Sequence, residues 1–126
     1  MAYNTDWEGK KILIAEDEEM NYLLLEEIFR KTKVKLIRAV NGKQVIDLFK
    51  QNIDTDLVLM DIKMPELNGY EATRIIKEIK NVPIIAQTAY AMSGEQNESI
   101  AAGCDAYITK PIKIKDLLEL VKRFIN

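Results

Sequence analysis

The chain has 126 residues, a formal net charge of −2, 48% hydrophobic and 30% charged residues, which gives room for one domain with an ordinary globular core and no electrostatic reason to expect nucleic acid or an anionic membrane as partner. It contains no histidine, which excludes Ser-His-Asp and Cys-His catalysis, histidine metal ligation and any phosphohistidine role. Its one cysteine, Cys104, can form neither an internal disulfide nor a zinc site and reads as a small buried apolar residue; with no apolar run of roughly 18 residues and no signal-peptide core, the expected compartment is the cytoplasm.

Residues 1–10, with Trp7, are expected as a partly ordered lead-in, and 11–126 as the domain proper. The first strand is expected over Lys11-Ala15 (KILIA) and is followed by an acidic loop and an amphipathic helix. The basic residues Arg30, Lys31, Lys33, Lys35 and Arg38 read as a solvated helix end and strand edge. A second strand covers Lys35-Ala39, and Asn41 with Gln44 three residues on signals the start of the second helix. The third strand is Leu57-Met60, with Asn68 and Glu71 opening the next helix. The fourth strand is Ile84-Gln87; Ser93 with Gln96 opens a fourth helix that Gly103 suits to close in a left-handed cap. Ala106-Ile108 is the fifth strand. The last helix, Lys113 to Phe124, carries Ile114, Leu117, Leu118, Val121 and Phe124 at helical spacing.

Strict alternation of five strands and helices implies an α/β fold, a parallel sheet doubly wound by helices on both faces with right-handed crossovers. The first, third and fourth strands are almost unbroken apolar, as strands covered on both faces require. Periodicity does not fix strand order; the common solution for five such units is the flavodoxin-like order 2-1-3-4-5, a (βα)5 three-layer sandwich.

That fold puts Glu16 and Asp17, Asp61, Thr88 and Lys110 on one carboxyl edge, where strands 1 and 3 flank the point at which strand order reverses. Two unit charges about 4 Å apart repel by about 4 kcal/mol at an effective dielectric near 20. Three carboxylates there must raise a pKa or recruit a cation. An all-oxygen set without His or Cys favours a hard metal such as Mg²⁺. Lys110 adds a second positive charge and Thr88 a hydrogen-bond donor, so a carboxylate nucleophile could become an acyl phosphate here. Singly, each residue reads as a helix cap or turn; together they point to a phosphoryl acceptor.

ILIAED at 12–17, DLVLMDIKMPELNGYEATR at 56–74, QTA at 87–89 and YITKP at 107–111 resemble the receiver domains of two-component response regulators from Lys11 to Phe124. The resemblance implies that Asp61 is the phosphorylated aspartate and that a phosphohistidine of a sensor histidine kinase or a histidine phosphotransfer protein is the donor. It implies Mg²⁺ (or Mn²⁺) held by Asp17, Asp61 and the backbone carbonyl of Lys63, with Glu16 acting largely through bound water. Thr88 and Lys110 match the residues that close on the phosphoryl oxygens, and Tyr107 the aromatic switch. The Lys110-Pro111 bond is expected to be cis. Pro65, Gly69 and Pro111 are expected as structural residues, Gly69 because a side chain at the loop-to-helix junction would cost conformational freedom. Lys63 and Tyr90 occupy positions that tune phosphoryl hydrolysis in that family. The resemblance further implies a signalling domain rather than an enzyme, assisting its own phosphorylation and dephosphorylation. Kinase activity would belong only to a larger hybrid histidine kinase. Its output would run through the surface of the fourth helix, fifth strand and last helix, toward a downstream protein or a second copy, with Met92, Ile112 and Ile114 as core or contact residues. Asn21 and the lead-in resemble receivers of hybrid histidine kinases, while the initial Met and full last helix resemble a stand-alone regulator.

Two other chemistries fit less well. A flavin or nucleotide module needs a phosphate-cradling loop after strand 1, where this chain has Glu-Asp-Glu-Glu. An Asp-nucleophile phosphatase usually has a second Asp where Lys63 stands.

Overall fold

A computed structural model describes residues 5–63, 68–88 and 103–125. The strands are β1 (Lys11–Ala15), β2 (Lys35–Ala39), β3 (Leu57–Asp61), β4 (Ile84–Thr88) and β5 (Ala106–Thr109). They form one sheet in the order β2-β1-β3-β4-β5, and every neighbouring pair is parallel. The helices are α1 (Glu19–Phe29), α2 (Gly42–Gln51), α3 (Gly69–Ile79) and α4 (Ile114–Ile125), with a short 3₁₀ turn at Arg30–Thr32. The expected caps at Asn41 and Asn68 are present, each side chain accepting the backbone N–H of Gln44 or Glu71. The expected helix start at Ser93, and the residues Pro65, Tyr90 and Met92, lie outside the described residues.

Strand periodicity sorts the core into two layers. Ile12, Ile14, Leu57, Leu59, Ile85 and Ile108 face α1 and α4, packing on Leu25, Phe29, Leu117 and Val121. Leu13, Ala15, Val58, Met60 and Ile84 face α2 and α3, packing on Val45, Phe49, Ala72 and Ile76. The central strands β3 and β4 are buried along their whole length, whereas the edge strands β2 and β5 are only partly covered. This is the pattern that a sheet covered on both faces imposes on its inner strands.

Trp7, expected within a partly ordered lead-in, is part of the core. It is 2% exposed and stacks obliquely on Phe29, ring centroids 6.3 Å apart. Its backbone N–H donates to the Thr32 carbonyl at 2.7 Å. The aromatic ring closes the amino end of the α1–α4 layer, so the chain is ordered ahead of β1.

Cys104 is half-buried rather than fully so, beside the α2–α3 layer, its sulfur 3.8 Å from the Thr73 hydroxyl. Burial pushes its thiol pKa up, which keeps it in the unreactive protonated form.

Candidate functional site

β1 ends at Ala15, and its direction carries Glu16 and Asp17 onto the carboxyl edge of the sheet. β3 ends on Asp61 itself, and β4 on Thr88, while Lys110 follows β5 directly. Parallel pairing sets Asp61 beside Gln87, and Thr88 beside Thr109. Asp17, Asp61, Lys63, Gln87, Thr88 and Lys110 line a crevice of about 210 Å³. Glu16 lies beneath it with no exposed surface. A larger hollow of about 470 Å³ runs along β5 past Tyr107, Leu120 and Arg123, but its described lining carries one acid, Asp105.

The sequence-expected set therefore converges. Carboxylate oxygens of Glu16, Asp17 and Asp61 all lie within 4.8 Å of one another. The Lys110 ammonium is 3.2 Å from Asp61 Oδ2 and 3.6 Å from Glu16 Oε1. The Lys63 N–H donates to Asp61 Oδ1 at 3.2 Å, which fixes the carboxylate plane. The Lys110 N–H donates to the Thr88 carbonyl at 2.8 Å, tying the end of β4 to the basic residue. The Lys110–Pro111 bond is cis. Tyr107 stands on the edge strand, 38% exposed.

Charge at this edge is out of balance. Burial, and then the Asp61 charge, push the Glu16 carboxyl from 4.5 up to about 7, with Lys110 opposing. Burial works against the Lys110 ammonium, but Asp61 and Glu16 outweigh it and hold its pKa above the ordinary range. Glu16 Oε1 is buried and has no hydrogen-bond partner among the described residues. An oxygen-only donor set with an orphaned carboxylate oxygen fits a hard divalent cation, which would neutralise the surplus.

Gly69 is required for a different reason than expected. A Cβ there would sit 2.6 Å from the Asp61 carbonyl oxygen and 2.8 Å from Ile62 Cα. Its own N–H donates to the Ile62 carbonyl at 3.0 Å. The constraint is close backbone approach: α3 begins against the chain that carries Asp61, and only hydrogen fits between them.

Two residues at this edge were not singled out by sequence. Gln87 is fully buried next to Asp61, and both atoms of its amide lack partners among the described residues. Arg38, read above as part of a solvated basic cluster, instead reaches over β1 to the acidic loop. Its Nε–H donates to the Glu16 carbonyl at 3.1 Å and its Nη1 pairs with Glu19 at 3.0 Å. Arg30 does keep to the solvated reading, paired with Glu27 on the surface.

The family model for the response regulator receiver domain matches residues 12–122. The polar-differentiation response regulator DivK of Brucella anthropi is 37% identical over 120 residues, covering 93% of this chain and 97% of that one. The receiver domain of a sensor histidine kinase from Pseudomonas aeruginosa, solved with a magnesium ion coordinated in its active-site cleft, is 33% identical with a TM-score of 0.85. The match covers 92% of this chain and 97% of that one. The receiver domain of Saccharomyces cerevisiae Ssk1, co-crystallised with the histidine phosphotransfer protein Ypd1, has a TM-score of 0.87 at 26% identity. There the match covers 92% of this chain and 88% of that one.

Proposed function

The chain belongs to the response regulator receiver domain family, and on that premise we propose that Asp61 accepts a phosphoryl group from a phosphohistidine. The donor is a sensor histidine kinase or a histidine phosphotransfer protein, the latter being the partner seen with the Ssk1 receiver. A carboxylate oxygen of Asp61 attacks phosphorus in line; the P–N bond breaks, a P–O bond forms, and the imidazole leaves. Asp17, Asp61 and the Lys63 carbonyl would hold Mg²⁺ (Mn²⁺ as substitute), with Glu16 contributing through water; when bound, the ion neutralises charge on the transferring group.

The chain's own residues do the rest. Lys110 moves from the Asp61 carboxylate onto the new phosphoryl oxygens, and the Thr88 hydroxyl donates to them. Phosphorylation exchanges one charge for roughly two and adds three acceptor oxygens, which biases these two groups toward a closed arrangement. Tyr107 turns inward as Thr88 moves, and the surface of β5 and α4 changes with it. That surface engages a downstream protein or a second copy. Lys63 and Tyr90 set how quickly water removes the phosphoryl group. We place the domain in the cytoplasm, with residues 11–126 as its body and Trp7 of the lead-in packed into its core; among the described residues no helix is long and apolar enough to cross a membrane.

The observation that carries this reading is the Lys110 ammonium 3.2 Å from an Asp61 carboxylate that lies within 4.8 Å of two further acids. Intact-protein mass after incubation with a small-molecule phosphodonor and Mg²⁺ tests it. One added phosphoryl group is expected, and is lost in Asp61→Asn and in EDTA. A folded protein that gains no mass under any condition would be a binding module instead.

A further inference from the structure

The β1–α1 loop has an unusual electrostatic problem. Four successive acids, Glu16 to Glu19, must be held so that two of them, buried Glu16 and exposed Asp17, meet Asp61. The Glu18 N–H to Glu16 Oε2 contact is long, at 3.3 Å, and the helix start at Glu18 has no side-chain cap. The Asn21 side chain donates to Glu18 and the Glu16 N–H to the Ala39 carbonyl at 2.9 Å, but none of these bonds reaches the Glu16 or Asp17 carbonyl.

Arg38 supplies what the loop lacks. The register Ile14↔Arg38 puts it one step short of the carboxyl edge, on the face toward α1 that Leu36 also serves. From there the guanidinium forks. Nε reaches the Glu16 carbonyl at 3.1 Å, Nη2 the Asp17 carbonyl at 3.5 Å, and Nη1 the Glu19 carboxylate at 3.0 Å. Its carbon lies 4.8 Å from the centroid of the Tyr22 ring, a cation–π distance. The side chain is only 21% exposed, against 70% for Glu19. The exposed ion pair is screened and weak; the distinctive contact is the one to the Glu16 backbone carbonyl, which the guanidinium makes with the Asp17 carbonyl at its outer reach, in a fixed planar geometry that a lysine ammonium does not reproduce.

We propose that Arg38 is the positioning residue for the metal-binding loop, holding the Glu16 and Asp17 backbone so that their carboxylates meet Asp61. The proposal rests on reading this edge as a Mg²⁺ site, and it makes a prediction of opposite sign to simple charge. A cation beside the site repels Mg²⁺, so if Arg38 acted only through charge, its removal would tighten metal binding. If it holds the loop, removal weakens binding on the order of 10-fold, as loss of an outer-shell partner does.

The test is Mg²⁺ titration by calorimetry of the wild-type chain, Arg38→Met and Arg38→Lys, with Asp17→Asn as a control, together with amide hydrogen exchange of residues 17–19 in the metal-free proteins. Both Arg38 variants should bind Mg²⁺ about 10-fold more weakly and exchange faster at those amides, with near-ultraviolet circular dichroism unchanged. Wild-type affinity in Arg38→Lys, or tighter binding in Arg38→Met, would overturn the positioning role. Should the wild-type chain itself bind no Mg²⁺, the metal-site reading fails, and unchanged exchange at 17–19 would still overturn the role of Arg38 separately.

Discussion

The middle of the sheet and the inner residues of its carboxyl edge are about equally shielded from water, yet burial acts on them in opposite directions. Ile14, Leu59 and Ile85 in the middle are 0% exposed, as are Glu16 and Gln87 at the edge, with Asp61 and Thr88 at 5%. In the middle, side chains are apolar and the backbone is paired along every ladder, so burial stabilises at roughly 25 cal/mol per Å². At the edge the same burial raises the Glu16 carboxyl to about 7 and leaves the Gln87 amide without partners among the described residues. The difference teaches where each property resides. Stability is concentrated in Leu59 and its neighbours, and responsiveness in groups whose needs the resting protein does not meet.

The largest test of that separation is Leu59→Ala. It should cost about 2–5 kcal/mol in urea unfolding, while the protein that remains folded still takes up phosphoryl; loss of uptake in folded protein would break the division. Next comes pH. The Glu16 carboxyl titrates near 4.5 when unfolded and about 7 when folded, so between these values the folded form holds more protons. Stability of the metal-free protein should therefore fall as pH rises from 4.5 to about 7, by at most about 3 kcal/mol. Glu16→Gln should flatten this slope, and a wild-type profile already flat would mean the edge carries no strain. The smallest effect is expected from Gln87→Met, which keeps length and removes the unpaired amide. It should raise stability by about 1 kcal/mol; a loss instead would show that the amide is satisfied in solution.

Much of this architecture was legible in sequence because its causes are local. Strands β1 and β2 fall on the residues expected, and β3, β4 and β5 each run one residue further. Inner parallel strands must be apolar on both faces, which punctuates the chain sharply. The caps at Asn41 and Asn68 were readable for the same reason, since donor and acceptor are three residues apart. The convergence of Glu16, Asp17, Asp61, Thr88 and Lys110 followed from strand direction alone. What was not legible depends on contacts distant in sequence. Arg38 looked like one of five basic surface residues until β2 paired with β1 and brought it over the loop. Gly69 looked like a tight loop-to-helix junction of local origin, because nothing local announces that Asp61 and Ile62 pass within 3 Å of its missing side chain. Trp7 looked like lead-in, because its partners Phe29 and Thr32 lie more than twenty positions away.

Trp7 also decides what light can report about this molecule. It is the chain's one tryptophan, and it sits at the opening of β1, about 17 Å along that strand from Glu16. Its indole emission will therefore track melting of the α1–α4 layer and stay silent when an ion or a phosphoryl group arrives. Folding can be followed optically without a label, whereas occupancy of the crevice will need a fluorophore introduced at the other pole of the sheet.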